Sequence, residues 1–140
     1  MSNVIQLIII LISIMNEIKN IIDDLAIDAL EANTKIAAAS VITNLGTIVY
    51  QTENFNLTNQ TDTILNIYKG HNSFVLNNFK FTVTRNTPEG IIATNNGGMG
   101  HIIVAPFQGG LLVVYAMPQA DPSKALSFLK TFTTRLNGKV

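Results

Sequence analysis

From Ser73 to Met117 the chain alternates short β-rich runs with turn-forming residues, and that rhythm leaves few folds open. SFVLN, FKFTVTRN, GIIATN, GHIIVAP and GLLVVYAM are separated by Asn77-Asn78, Thr87-Pro88-Glu89-Gly90, Asn95-Asn96-Gly97-Gly98 and Gln108-Gly109-Gly110. Connections this short join antiparallel neighbours, so the stretch reads as an antiparallel meander. In FKFTVT, strict alternation puts Phe79, Phe81 and Val83 on one face and Lys80, Thr82 and Thr84 on the other. LLVVY shows no polar alternation, which predicts a strand covered on both faces.

The flanking segments complete the plan. In KIAAASVITNLGTIVYQTENF, two apolar runs, Ile36–Ile42 and Thr47–Gln51, flank Thr43-Asn44-Leu45-Gly46. Gly46 can supply the positive φ of a tight turn, so a hairpin is expected. Asn54–Thr61 reads as a polar loop. Thr61 or Asp62 is the expected cap of a short helix over Thr63–Tyr68, which Gly70 ends. Ile18, Ile21, Ile22 and Leu25 recur at helical spacing near the start, with Glu17, Lys19, Asp23 and Asp24 on the other face, until Asn33 and Thr34 break the pattern. At the other end Asp121 suits an N-cap and Pro122 the first helical position. Ala125, Phe128, Leu129, Phe132 and Leu136 form the buried stripe of that last helix, with Lys124, Ser127, Lys130, Thr131 and Thr134 mostly turned away. Two terminal helices packed on a central antiparallel sheet make an α+β domain. At 140 residues, without an internal repeat, one domain over 16–140 is expected, preceded by an apolar extension, 1–15.

That extension is unusual. Val4–Met15 is almost wholly apolar, yet shorter than the roughly 20 residues of a membrane span, and it contains Gln6 and Ser13. No Lys or Arg precedes it and no small-residue cleavage site follows closely, which disfavours a signal peptide. Two explanations stay open: a longer first helix that buries its extra apolar face on the body or on another copy, or a chain that starts at Met15. The first is favoured, since exposed apolar surface of this extent must be hidden.

Reactive groups are sparse. The chain has no Cys, which removes a disulfide framework, a thiolate zinc site and a thiol nucleophile. A net charge of +0 does not suit nucleic-acid binding. The charges are nonetheless segregated: up to Asp62 two basic residues face seven acidic ones, and beyond it seven basic residues face two acidic ones. Such a basic half either is a plain dipolar surface or meets an acidic protein or an anionic lipid. His71 and His101 lack metal-ligand spacing. Asp23 and Asp24 are helical neighbours that do not face one another. NNGGMG lacks the Lys and the following helix of a phosphate loop, and reads as a hairpin turn. Asn56-Leu57-Thr58 and Asn59-Gln60-Thr61 are sequons in an Asn-rich chain. Neither an enzyme, a metal site nor a cofactor is expected; a binding module is.

The order and spacing of three stretches resemble profilins. KIAAASVITNLGTIVYQTENF is similar to the family's first hairpin, SFVLNNFKFTVTRNTPEG to the strand pair that carries a Lys and then a basic or polar residue, and GGMGHIIVAPFQGGLLVVYAMP to its Gly-rich turn and the two strands after it. The resemblance covers about residues 18–136 and points to an archaeal, Asgard-type member. It implies a cytoplasmic, cytoskeletal, mostly monomeric protein that binds monomeric actin on the actin barbed-end face. It places Tyr68, Lys80, Thr82, Arg85, His101, Ser127, Lys130 and Thr131 at actin-facing positions. Strict alternation sets Arg85 on the face opposite Lys80 and Thr82, so the strand must end or bulge there. Anionic lipids, phosphoinositides in particular, are a second partner implied by the family. Many relatives bind poly-proline between aromatics of the terminal helices. Here Ile18, Ile21 and Val49 hold the matching positions and the chain has no Trp, so poly-proline binding is expected to be weak or absent. The alternative is a roadblock/longin-like dimerisation module serving small GTPases, whose last strand and helix LLVVYAMPQADPSKALSFL also suits.

Overall fold

The computed structural model describes residues 2–140, with side-chain detail from Asn3 onward. In chain order it contains α1 (Ser2–Glu31), β1 (Ile36–Thr43), β2 (Ile48–Gln51), α2 (Thr61–Tyr68), β3 (Ser73–Leu76), β4 (Phe79–Thr87), β5 (Gly90–Thr94), β6 (His101–Phe107), β7 (Gly110–Ala116), α3 (Pro122–Phe128) and α4 (Lys130–Leu136). All seven strands form one antiparallel sheet in the order β2-β1-β7-β6-β5-β4-β3. The meander therefore folds as its turns dictate, and β7 returns to pair with β1.

Each face of the sheet carries its own core. On one, Ile18, Ile22 and Leu25 of α1 and Leu126, Leu129 and Phe132 of the last helices pack on Val41, Ile92, Ile103 and Val114. On the other, Ile64 and Ile67 of α2 join Phe55, Leu57 and Phe81 over Ile42, Ile102, Val104 and Val113. Residues Gly110–Val114 of β7 are buried on both sides, as their unbroken apolar run requires. The Asn54–Thr61 segment lacks regular structure up to α2, but it is not merely a polar connector. Phe55 and Leu57 are buried, and the Leu57 amide donates to Gln51 Oε1 at 3.0 Å.

The turns follow their residue types. Asn77 and Asn78 both take positive φ, 50° and 70°, between β3 and β4, and Gly46 takes 86° between β1 and β2. α1 ends where Asn33 adopts φ 56° and the Thr34 hydroxyl donates to Ala29 O. Asp121 caps α3, its carboxylate accepting from the Ser123 and Lys124 amides.

Three features differ from expectation. α2 starts at Thr61, with Gln60 at the cap position and no side-chain cap bond, so neither Thr61 nor Asp62 caps it. Asp62 sits in the first turn, where its charge suits the helix dipole. The last helix is divided at Leu129, whose N–H is shared between Ala125 O and Leu126 O, a locally tightened turn. Finally, α1 is the favoured longer first helix, running unbroken through residue 16, but its first turns do not bury their apolar face on the body: residues 3–13 are all exposed.

Gly100, in the Gly-rich turn before β6, has φ 95°, and a Cβ there lies 2.6 Å from Ala116 O and 2.7 Å from Tyr115 Oη. That hydroxyl donates to Met99 O at 2.8 Å. Gly100→Ala is expected to cost about 1–3 kcal/mol, read as a lower urea midpoint at unchanged slope.

Candidate functional site

The cross-strand register assembles the exposed polar face. Directly opposed residues of antiparallel strands share a face. Thr82 pairs with Thr94, Thr94 with His101 and His101 with Ala116, a row across four strands on the side of the terminal helices. Within it Thr94 Oγ1 and His101 Nδ1 are 2.8 Å apart. His101 is buried, and its Nε2 has no hydrogen-bond partner.

The second row depends on an irregularity. Val83 pairs with Ala93 but Arg85 pairs with Ile92, so the β4–β5 register shifts across Thr84. One extra residue in a strand inverts the facing of every residue beyond it. Arg85 thereby joins the row Arg85–Ile92–Ile103–Val114, on the same side as Lys80 and Thr82. The Thr84 hydroxyl donates to Ile92 O at 3.3 Å, which braces the bulge. α3 packs over β5 and β6 beside this edge, and Arg85 Nη1 reaches Ser123 Oγ at 3.4 Å. Lys80 is exposed, and Asn95 Nδ2 donates to its carbonyl at 2.8 Å, tying the β5–β6 turn to β4. Ser127, Lys130 and Thr131 lie along the α3–α4 junction, with Lys130 Nζ 3.6 Å from Glu89 Oε1.

The structure thus collects Lys80, Thr82, Arg85, His101, Ser127, Lys130 and Thr131 on the side of α3 and α4, with His101 as buried floor rather than open surface. Tyr68 is separate. It ends α2, which packs on the opposite face, and its ring is half exposed. The turn after it reaches the outer edge of β4, where the Val83 amide donates to Asn72 O at 2.7 Å.

Between α1 and α4 lies a shallow groove lined by Glu17, Asn20, Ile21, Arg135 and Lys139. Two ion pairs straddle it, Arg135 Nη2–Asp24 Oδ2 at 2.8 Å and Lys139 Nζ–Glu17 Oε1 at 3.2 Å. Ile21 lines it and is buried, Ile18 is buried in the adjoining core, Val49 is half-buried, and none of the five lining residues is aromatic. The sequence did not announce these pairs, because their partners stand more than 100 positions apart. Among the described residues, no group of three or more His, Asp or Glu side chains is placed to hold a metal ion.

No family model matches the chain. Loki profilin-2 from Lokiarchaeum sp. (strain GC14_75) is 31% identical over 131 residues, which cover 86% of this chain and 95% of that relative. Odin profilin from Odinarchaeota yellowstonii (strain LCB_4) is 35% identical over 92 residues, covering 64% and 76%. Among solved structures, the complex of Loki profilin 2 with rabbit actin matches with a TM-score of 0.75 at 32% identity, over 85% of this chain and 94% of that one. Acanthamoeba castellanii profilin IB shares the fold with a TM-score of 0.64 at 15% identity, over 77% of this chain and 90% of that one.

Two variants weigh the interactions of this region. Thr94→Val removes the side-chain hydrogen-bond partner of a buried histidine and is expected to cost about 1–3 kcal/mol. Arg135→Ala breaks an exposed ion pair and is expected to cost less than about 1 kcal/mol. Urea denaturation of both checks the order.

Proposed function

The chain belongs to the profilin family, and on that premise we propose that it binds monomeric actin and regulates polymerisation by occupying the barbed-end face of actin. The observation that carries this reading is the bulge at Thr84, which brings Arg85 onto the same side as Lys80 and Thr82, beside α3. Strand rows of a stiff sheet hold these side chains at fixed separations, so little conformational freedom is lost on docking. Ser127, Lys130 and Thr131 extend the same surface and His101 supports it from below, while Tyr68, at the end of α2, stands apart on the other side of the sheet. The mechanism is steric: a covered barbed-end surface cannot receive the next subunit. No bond is made or broken, so the reading is that of a cytoplasmic, cytoskeletal binding protein and not an enzyme. Support for the partner comes from the complex formed by Loki profilin 2 with rabbit actin.

Charge steering fits this surface only in part. Arg135 and Lys139 of the basic half are engaged with Asp24 and Glu17 of the acidic half, so part of the charge segregation joins the terminal helices to each other. Lys80 and Arg85 form no salt bridge with Asp or Glu among the described residues, and they are the cations best placed to meet an acidic partner. An anionic lipid headgroup would draw on the same residues and compete with actin.

Poly-proline binding is weak or absent in this reading. A polyproline helix needs flat rings and a donor at the groove rim. The α1–α4 groove instead presents ion pairs beside buried Ile21, while Ile18 is buried in the core and Val49 is half-buried against it.

Pyrene-actin assembly tests the first proposal. Wild type is expected to slow nucleation, and Lys80→Glu/Arg85→Glu to weaken the effect about tenfold or more; no effect of wild type at concentrations well above actin would sink it. Titration with a proline decamer tests the second, with no saturable binding expected at micromolar peptide.

A further inference from the structure

The free end of α1 is the largest feature that the actin reading leaves unused. Between Val4 and Ile12 only Gln6 is polar, and the apolar side chains keep 50% to 63% of their surface exposed. Successive helical residues are about 100° apart, so these side chains point to every side of the helix. A groove on a folded partner, or a single second copy, covers one stripe of a helix and leaves the rest in water. A bundle of copies calls for a seam with a broad polar outer face; here Gln6 and Ser13 make only a narrow polar line, flanked by exposed Ile9 and Ile10. A surface apolar on nearly every side is covered most fully by lipid acyl chains.

The length selects the depth. Asn3–Ser13, all exposed, rises roughly 16 Å at about 1.5 Å per residue. That is about half of a ~30 Å hydrocarbon core, the depth of one leaflet. By length and composition α1 as a whole is long and apolar enough to cross a membrane. Its second half is committed elsewhere, however, because Ile18, Ile21, Ile22 and Leu25 lie in the domain core. Charge marks the same boundary. No charged side chain occurs before Glu17, which pairs with Lys139. At the base of the free segment Glu17, Lys19, Asp23, Asp24, Arg135 and Lys139 have charges that cancel, and each has an opposite partner.

We propose that residues 3–13 of α1 insert into one leaflet of a lipid bilayer, as an apolar anchor that recognises acyl chains rather than headgroup charge. The paired collar at the base then rests at the headgroups, where it stays hydrated.

The full chain is tested by co-sedimentation with vesicles of phosphatidylcholine alone, at low and at high salt. Binding is expected in both, since no net charge takes part. Ile8→Asp/Leu11→Asp is expected to lower the partition coefficient about tenfold or more. Both positions are exposed and lie outside the core, so an unchanged thermal melt separates lost insertion from lost folding. The chain has no Trp, so Ile9→Trp gives a reporter without background, and quenching by bromine-labelled acyl chains is expected. Three results would overturn the proposal. Wild type could remain in the supernatant, binding could require anionic lipid and vanish at high salt, or the chain could form a stable oligomer that ignores vesicles and that Ile8→Asp/Leu11→Asp returns to monomer.

Discussion

A strand buried on both faces organises this molecule. β7 sits between β1 and β6, and its residues Gly110–Val114 are wholly buried. A sheet with an apolar centre on both sides needs two covers, and the chain supplies them from different regions. The terminal helices close one face; α2 and the Phe55–Leu57 segment close the other. The covers do not reach equally far. The helical pair α3–α4 stands over β5 and β6, which leaves β4 at the rim with its polar residues facing outward. The candidate surface is thus a by-product of where the cover stops, and the bulge at Thr84 decides what that rim displays.

Much of this was legible in the residue pattern. Period-two alternation, Asn-Asn and Gly-rich turns and the Asp121-Pro122 helix start are local signals, and local signals survive into the fold. An end or bulge of β4 near Arg85 is expected only because the family resemblance sets Arg85 beside Lys80 and Thr82, whereas strict alternation sets it opposite them. What stayed hidden was non-local. The roles of Phe55 and Leu57 depend on which face their loop crosses, which no window of sequence contains. The missing side-chain cap on α2 reflects Gln60 being taken elsewhere: its side chain bonds to Asn77 and to the backbone of Asn56. Tyr68 and His101 show the same limit. Their positions along the chain say nothing of depth, and one is an exposed residue at the end of α2 while the other is a buried floor.

The segregation of charge carries a similar lesson. From composition, an acidic first half and a basic second half fit either a plain dipolar surface or an external partner. In the fold, the two halves meet: Glu17 and Asp24 on α1 face Lys139 and Arg135 beyond and within α4. Exposed pairs of this kind contribute little stability individually. Their consequence is geometric, because they bridge the groove between α1 and the C-terminal end of the chain. Ile18 and Ile21, for their part, are buried in the core between α1 and the sheet.

α1 joins these two themes, since one continuous helix serves two environments. From Ile14 onward its apolar residues follow the helical period and one face packs on the sheet. Before that point apolar residues spread over nearly every side, leaving only the narrow polar line of Gln6 and Ser13. Ser2–Glu31 contains no Pro or Gly, so nothing in it offers a hinge. Whatever holds the free end must therefore orient the whole domain. The ion pairs to α4 strengthen that coupling, because α4 continues from the helix that flanks Arg85. An anchor at the start of α1 would set not only where the domain resides but which way the rim of β4 faces.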